Sequence, residues 1–169
     1  MFYGCTSLTS APELPATIIY INCYFNMFNG CTSLTSAPEL PATTLAQGCY
    51  SGMFSGCTSL TSAPDLPATT LANGCYYNMF NGCSSLTTAP ELPATTLDVN
   101  CYNSMFQGCT NLNTITLGYT GNFADAPSGA FSGWVYGVAS TGTFYYNGSD
   151  TTHGVSAIPE GWTVTPFTA

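Results

Sequence analysis

Residues 27–52 read MFNGCTSLTSAPELPATTLAQGCYSG, and residues 53–78 read MFSGCTSLTSAPDLPATTLANGCYYN, differing at only five positions. The same unit begins again at Met79-Phe80 and Met105-Phe106, and Met1-Phe2 opens it in the first residues, so the period is 26 throughout. A period of about 20 to 50 residues marks a solenoid, in which each coil buries its apolar face against the next. Residues 1–113 are therefore read as stacked coils, four full ones and the start of a fifth.

Within the unit, Leu34 and Leu40 flank a Thr-Ser-Ala segment that reads as a brief strand. Pro38 and Pro41 remove backbone donors, so no ladder continues through Pro-Glu-Leu-Pro and that stretch reads as a turn or polyproline-like edge. Cys23, Met27 and Cys31 lie four residues apart with Tyr24 and Phe28 beside them. That spacing predicts one inward face of a short helix. The fold class expected is an α/β repeat: a solenoid of 26-residue coils with short parallel strands, closed by a small C-terminal α/β cap.

Met-Phe, two residues, Cys, two residues, Leu, then a Leu-Pro pair, recurring in phase over 1–113, resembles the BspA-like bacterial leucine-rich repeats. The resemblance implies a secreted or surface-displayed protein of bacteria or their phages, acting in adhesion or partner binding, with no catalytic residues. The inserted Pro-Glu and the lack of any basic residue depart from the family pattern. Met1 and Phe2 occupy places of a unit that recurs along the chain, so the sequence leaves open whether Met1 is a natural start or the chain a fragment of a longer one.

Residues 114–169 leave the period and become rich in Gly, Tyr and Trp. Thr114 to Leu117 reads as a strand, Pro127 opens an expected short helix with Phe131, Trp134, Val135 and Val138 on one face, and Gly142 to Tyr146 reads as a second strand. A last strand is expected around Trp162 to Thr165. This region is read as a C-terminal cap on the last coil.

The chain of 169 residues has eight carboxylates, one histidine and no lysine or arginine, for a formal charge of −8. Nothing in it can neutralise phosphates, so nucleic acid and anionic membranes are poor partners, and phosphoryl-transfer chemistry that needs a Walker lysine or arginine finger is excluded. With 45% hydrophobic residues it is too apolar for a disordered acidic tail. No run approaches the roughly 20 apolar residues of a membrane span.

Nine cysteines form two columns, Cys5, Cys31, Cys57, Cys83, Cys109 and Cys23, Cys49, Cys75, Cys101. They are read foremost as buried thiols, with inter-coil disulfides or a metal site as the other readings; no CxxC-type spacing is present. Glu13, Glu39, Asp65 and Glu91 form an acidic column. At ~5 Å spacing such charges repel by roughly 0.8 kcal/mol per adjacent pair even in water; the column reads as a solvated edge, or as a weak calcium site. Thr43, Thr69 and Thr95 beside Thr44, Thr70 and Thr96 loosely resemble the threonine rows of ice-binding proteins. His153 has only Asp150 and Ser149 as nearby candidates for catalytic company, too little for a triad with an oxyanion hole. Asn147-Gly148-Ser149 fits an N-glycosylation sequon, and Thr151 sits in a short Asp-Thr string resembling an O-glycosylation pattern. No cofactor and no metal are expected.

The first coil differs from the others. Ile18 stands where coil two has Thr44, Tyr20 at Ala46, Ile21 at Gln47 and Phe25 at Ser51. Large apolar groups on the outside of an end coil read as an association surface, the partner being a second copy stacked head to tail or a cell-surface protein or glycan, with an N-terminal capping coil of its own packing and the seat of an upstream segment as the other readings. The functional expectation is a non-catalytic extracellular module, structural or adhesive, self-associating end to end. A phage-tail or cell-surface receptor-binding part is the alternative, and an ice- or calcium-binding surface a remote one.

Overall fold

The computed structural model describes residues 2–167. The repeating part is a stack of irregular coils joined by short parallel pairings, with almost no helix. On one side, single parallel bridges join Ser10 to Ser36, Ser36 to Ser62, and Thr88 to Thr114. The prolines that follow each bridge keep it from lengthening into a strand. Three longer strands come later: β1 (Thr114–Leu117), β2 (Thr143–Tyr146) and β3 (Thr163–Thr165), all parallel in the order β1-β2-β3. A single 3-10 turn, Phe123–Asp125, lies between β1 and β2.

The helix expected over Cys23 to Cys31 does not form. The segment is a run of tight turns, in which Cys23, Phe25, Met27, Asn29 and Cys31 each donate to the carbonyl three residues back. The alternate residues, Asn22, Tyr24, Asn26, Phe28 and Gly30, donate instead to the next coil, reaching the carbonyls of Gln47, Cys49, Ser51, Met53 and Ser55 at 2.8–3.0 Å. Every fourth residue has positive φ: Asn22, Asn26 and Gly30, then Gly48, Gly52 and Gly56. An α-helix needs negative φ at every residue, whereas a chain of turns with a left-handed residue every fourth position needs glycine or asparagine there. The four-residue period of this turn ribbon puts Cys, Met and Cys on one side just as a helix would. That coincidence misled the spacing argument.

Because the carbonyl of Asn29 and the N–H of Gly30 belong to one peptide group, the inter-coil bonds form columns of head-to-tail peptide units. One runs from Gly4 through Gly30, Gly56, Gly82 and Gly108 to the carbonyl of Tyr136. All five columns share one polarity, with N–H toward the C-terminal end and C=O toward the N-terminal end.

The ladder runs on beyond residue 113. Asn100, Tyr102, Ser104, Phe106 and Gly108 donate to Ser128, Ala130, Ser132, Trp134 and Tyr136. Gly129, Gly133 and Gly137 take the positive-φ places. The helix expected after Pro127 is therefore another ribbon, and the expected β-α-β unit has its strands but no helical crossover. Of its predicted inner face, Phe131, Trp134 and Val135 are buried and Val138 is partly buried.

The core is built from two ring columns. Phe2, Phe28, Phe54, Phe80 and Phe106 stack at 5.5–5.8 Å, and Trp134 meets the last of them. Tyr24, Tyr50, Tyr76 and Tyr102 stack at 5.7–6.1 Å and end on Phe131. The leucines on either side of each bridge, such as Leu34 with Leu40 and Leu60 with Leu66, are buried beside them.

Candidate functional site

The buried cysteines are free thiols with a structural job. Cys31, Cys57, Cys83 and Cys109 donate Sγ–H to the carbonyls of Phe2, Phe28, Phe54 and Phe80 of the preceding coil at 2.9–3.1 Å. Burial pushes the Cys57 and Cys109 thiols up to about 12 and Cys49 and Cys101 to about 11, so they stay protonated and unreactive at neutral pH. Only Cys5, exposed, and Cys23, half-buried, stand outside this protection, each the first of its column.

The acidic column is where the sequence places it: Glu13, Glu39, Asp65 and Glu91 are all exposed. Glu13 and Glu39 border a shallow hollow with Pro12, Pro15 and Pro38, and Asp65 and Glu91 border another with Pro67 and Pro93. Among the described residues no group of three or more His, Cys, Asp or Glu side chains converges to hold a metal ion. Both threonine columns are exposed.

His153 and Asp150 do not form a pair. The imidazole Nδ1 lies 3.9 Å from Glu160 Oε2. A hydrogen bond from the Thr152 side chain, with the backbone N–H of Phe123 at 2.8 Å and of Thr152 at 2.9 Å, holds the Asp150 carboxylate below its usual pKa. Asn147 is engaged through both ends of its amide: Nδ2 donates to the Phe167 carbonyl at 2.7 Å, and Oδ1 accepts the Phe167 N–H at 3.0 Å. Thr151 is exposed.

The four first-coil residues are each exposed. Ile18 and Tyr20 are each 75% exposed, Ile21 65% and Phe25 52%, while Ile19 between them is buried. Ile18 sits at a parallel bridge to Thr44, which fixes the start of the patch. Tyr77 occupies the same place in coil three as Phe25 in coil one and is also partly exposed. An aromatic group there is thus shared by two coils, and Ile18, Tyr20 and Ile21 are what distinguish the first.

The sequence reading missed the backbone of this end. In coil two the carbonyls of Gln47, Cys49 and Ser51 each accept an N–H from coil one. Among the described residues, nothing donates to the equivalent carbonyls of Ile21, Cys23 and Phe25. Farther along the same edge, Phe2 and Gly4 cover Met27 and Asn29 at 3.1 and 2.8 Å. Among the described residues this edge is thus covered at Met27 and Asn29 and uncovered at Ile21, Cys23 and Phe25. The four-residue recurrence of Gly or Asn was the signal in the sequence that could have revealed it.

A family model for the BspA type leucine rich repeat region matches residues 1–135 in six copies. The chain belongs to this family. Neither a curated protein nor a solved structure matches it. The BspA-type repeats are a surface repeat family, and the match runs past residue 113 to residue 135, into the ribbon where the backbone ladder also continues. Among the described residues no helix is long and apolar enough to cross a membrane.

Proposed function

We propose that this BspA-type chain is a non-catalytic extracellular module, structural or adhesive, that associates end to end through its first coil, with residues 114–169 capping the opposite end of a solenoid of 26-residue coils. The single observation that carries the reading is the exposure in one coil of four large apolar side chains, Ile18, Tyr20, Ile21 and Phe25, where coil two has Thr44, Ala46, Gln47 and Ser51. Fully burying an Ile or Phe side chain stabilises by roughly 1.5–3 kcal/mol. The other end is dressed differently. Val135 N–H donates to Val155 O and Gly133 N–H to Ser156 Oγ, while Phe123, Tyr119 and Phe144 cover Phe131 and Trp134.

The test is light scattering with negative-stain electron microscopy on the native chain and on Ile18→Thr combined with Phe25→Ser, which installs the coil-two residues. The native chain is expected to form elongated assemblies and the double variant to remain monomeric. Monodisperse monomers in both samples would refute self-association and move a cell-surface protein or glycan partner to first place.

A further inference from the structure

The side of the stack that carries the Pro-Glu-Leu-Pro turns has a hollow that the end-to-end reading does not use. Coil four has three residues between its parallel bridges at Thr88 and Leu92, but the next coil has only two between the partners of those bridges, Thr114 and Leu117. The shorter path draws the chain in against the preceding turn. Gly118 N–H donates to the Leu92 carbonyl at 2.8 Å, and a Cβ on Gly118 would lie 2.9 Å from the carbonyl carbon and oxygen of Pro93, so only glycine seats there. Beside this contact lies a hollow of about 480 Å³, within the size range of small-molecule sites. Phe167 lines it, and its backbone N–H and carbonyl are both held by the Asn147 amide, at 3.0 and 2.7 Å.

The lining has two chemistries. Leu92, Pro93 and Phe167 supply apolar surface, while Glu91, Thr116 and Thr120 supply one carboxylate and two hydroxyls. The chain has no lysine or arginine, so an anionic ligand would meet Glu91 with no cation to offset the repulsion. A wholly apolar ligand would strip water from the carboxylate and return no hydrogen bond. A pyranose ring suits both halves, with C–H groups along one face and vicinal hydroxyls that donate to a carboxylate and exchange bonds with threonine hydroxyls. We propose that this hollow binds a neutral pyranose residue of a glycan, its C–H face on Leu92, Pro93 and Phe167 and its hydroxyls donating to Glu91. Because hydrogen bonds already fix Leu92, Gly118 and Phe167 in the free chain, little ordering is left to be done on binding. The site is built from residues 91–167 and stands independently of the first coil.

The experiment is saturation-transfer NMR on the full chain with the methyl glycosides of glucose, galactose, mannose and N-acetylglucosamine. The signal is read on the sugar, so it is obtained whether or not the chain assembles end to end. At least one glycoside is expected to give a saturable effect with a Kd on the order of 1–10 mM, and neither N-acetylneuraminic acid nor tetramethylammonium an effect of comparable strength. Glu91→Gln is expected to weaken binding about five- to tenfold, because a neutral acceptor replaces a charged one. Thr120→Val, which keeps the shape and removes the hydroxyl, should weaken it about threefold. Both residues are exposed, and an unchanged Tm verifies that each variant is folded. No saturable effect with any of the four glycosides overturns the proposal. Equal binding of the sugar acid overturns the charge argument and the proposal with it, and equal binding of tetramethylammonium reduces the hollow to a counter-ion site. Sugar binding that both variants leave unchanged also overturns it, since the sugar then sits elsewhere.

Discussion

Replacing Gly82 by alanine separates the turn ribbon from a helix by the sign of the effect. Gly82 has φ +75°, and a Cβ built there would lie 3.8 Å from the nearest atoms, the backbone of Gly56, an ordinary contact. The cost is therefore conformational and not a clash. A left-handed alanine is strained by roughly 1–2 kcal/mol, and the stiffer unfolded chain returns about 0.4–1 kcal/mol of that. The net expectation is a loss of about 0–1.6 kcal/mol. With roughly 2–4 °C per kcal/mol for a chain of this size, Tm should fall by up to about 6 °C, read by circular dichroism or calorimetry. Gly82→Asn should cost less, because asparagine tolerates the left-handed region and Gly108 follows in the next coil with no side chain to obstruct the amide. In a helix interior the same Gly→Ala change stabilises by about 0.5–1 kcal/mol. A Tm that rises for Gly82→Ala, or falls more for asparagine than for alanine, would refute the ribbon and the column argument built on it.

The other expectations are read from side chains in the core. In the folded chain burial raises the Cys49, Cys57, Cys101 and Cys109 thiols from 9.0 to between about 11 and about 12; the unfolded chain releases these protons first, so stability is fully present below pH ~9 and lost as pH rises through 11–12. Circular dichroism against pH should show base unfolding in that window, and at pH 8 an aromatic disulfide reagent should titrate Cys5 and Cys23 and reach the remaining thiols only in denaturant. Tyr50 Oη is buried with no hydrogen-bond partner, whereas Tyr146 Oη donates to the Gly121 carbonyl at 2.9 Å. Tyr50→Phe should thus be neutral or stabilising by about 1 kcal/mol, and Tyr146→Phe should cost about 0.5–1.5 kcal/mol; equal losses in thermal unfolding would contradict this assignment of partners.

Much of the architecture follows from the chain alone. The 26-residue recurrence determines that equivalent residues stack, so the inward set of Phe, Met, Cys and Leu could be listed without coordinates, and the lack of any cation excludes phosphate-binding partners. The strands near 114, 143 and 163 were legible because β-branched and aromatic residues alternate there. Tertiary structure decided the rest. Residues spaced by four lie on one side of both a helix and a four-residue turn ribbon, and only hydrogen bonds from Asn22, Tyr24 and Asn26 to the next coil select the ribbon. A helix would have spent those N–H groups within its own segment. The recurrence of glycine at 129, 133 and 137 then carries the ladder past the point where the letters stop repeating. The apolar residues of the first coil were visible in the sequence. That the carbonyls of Ile21, Cys23 and Phe25 have no donor among the described residues was not, because peptide polarity appears only when coils are stacked and each donor is traced to its acceptor.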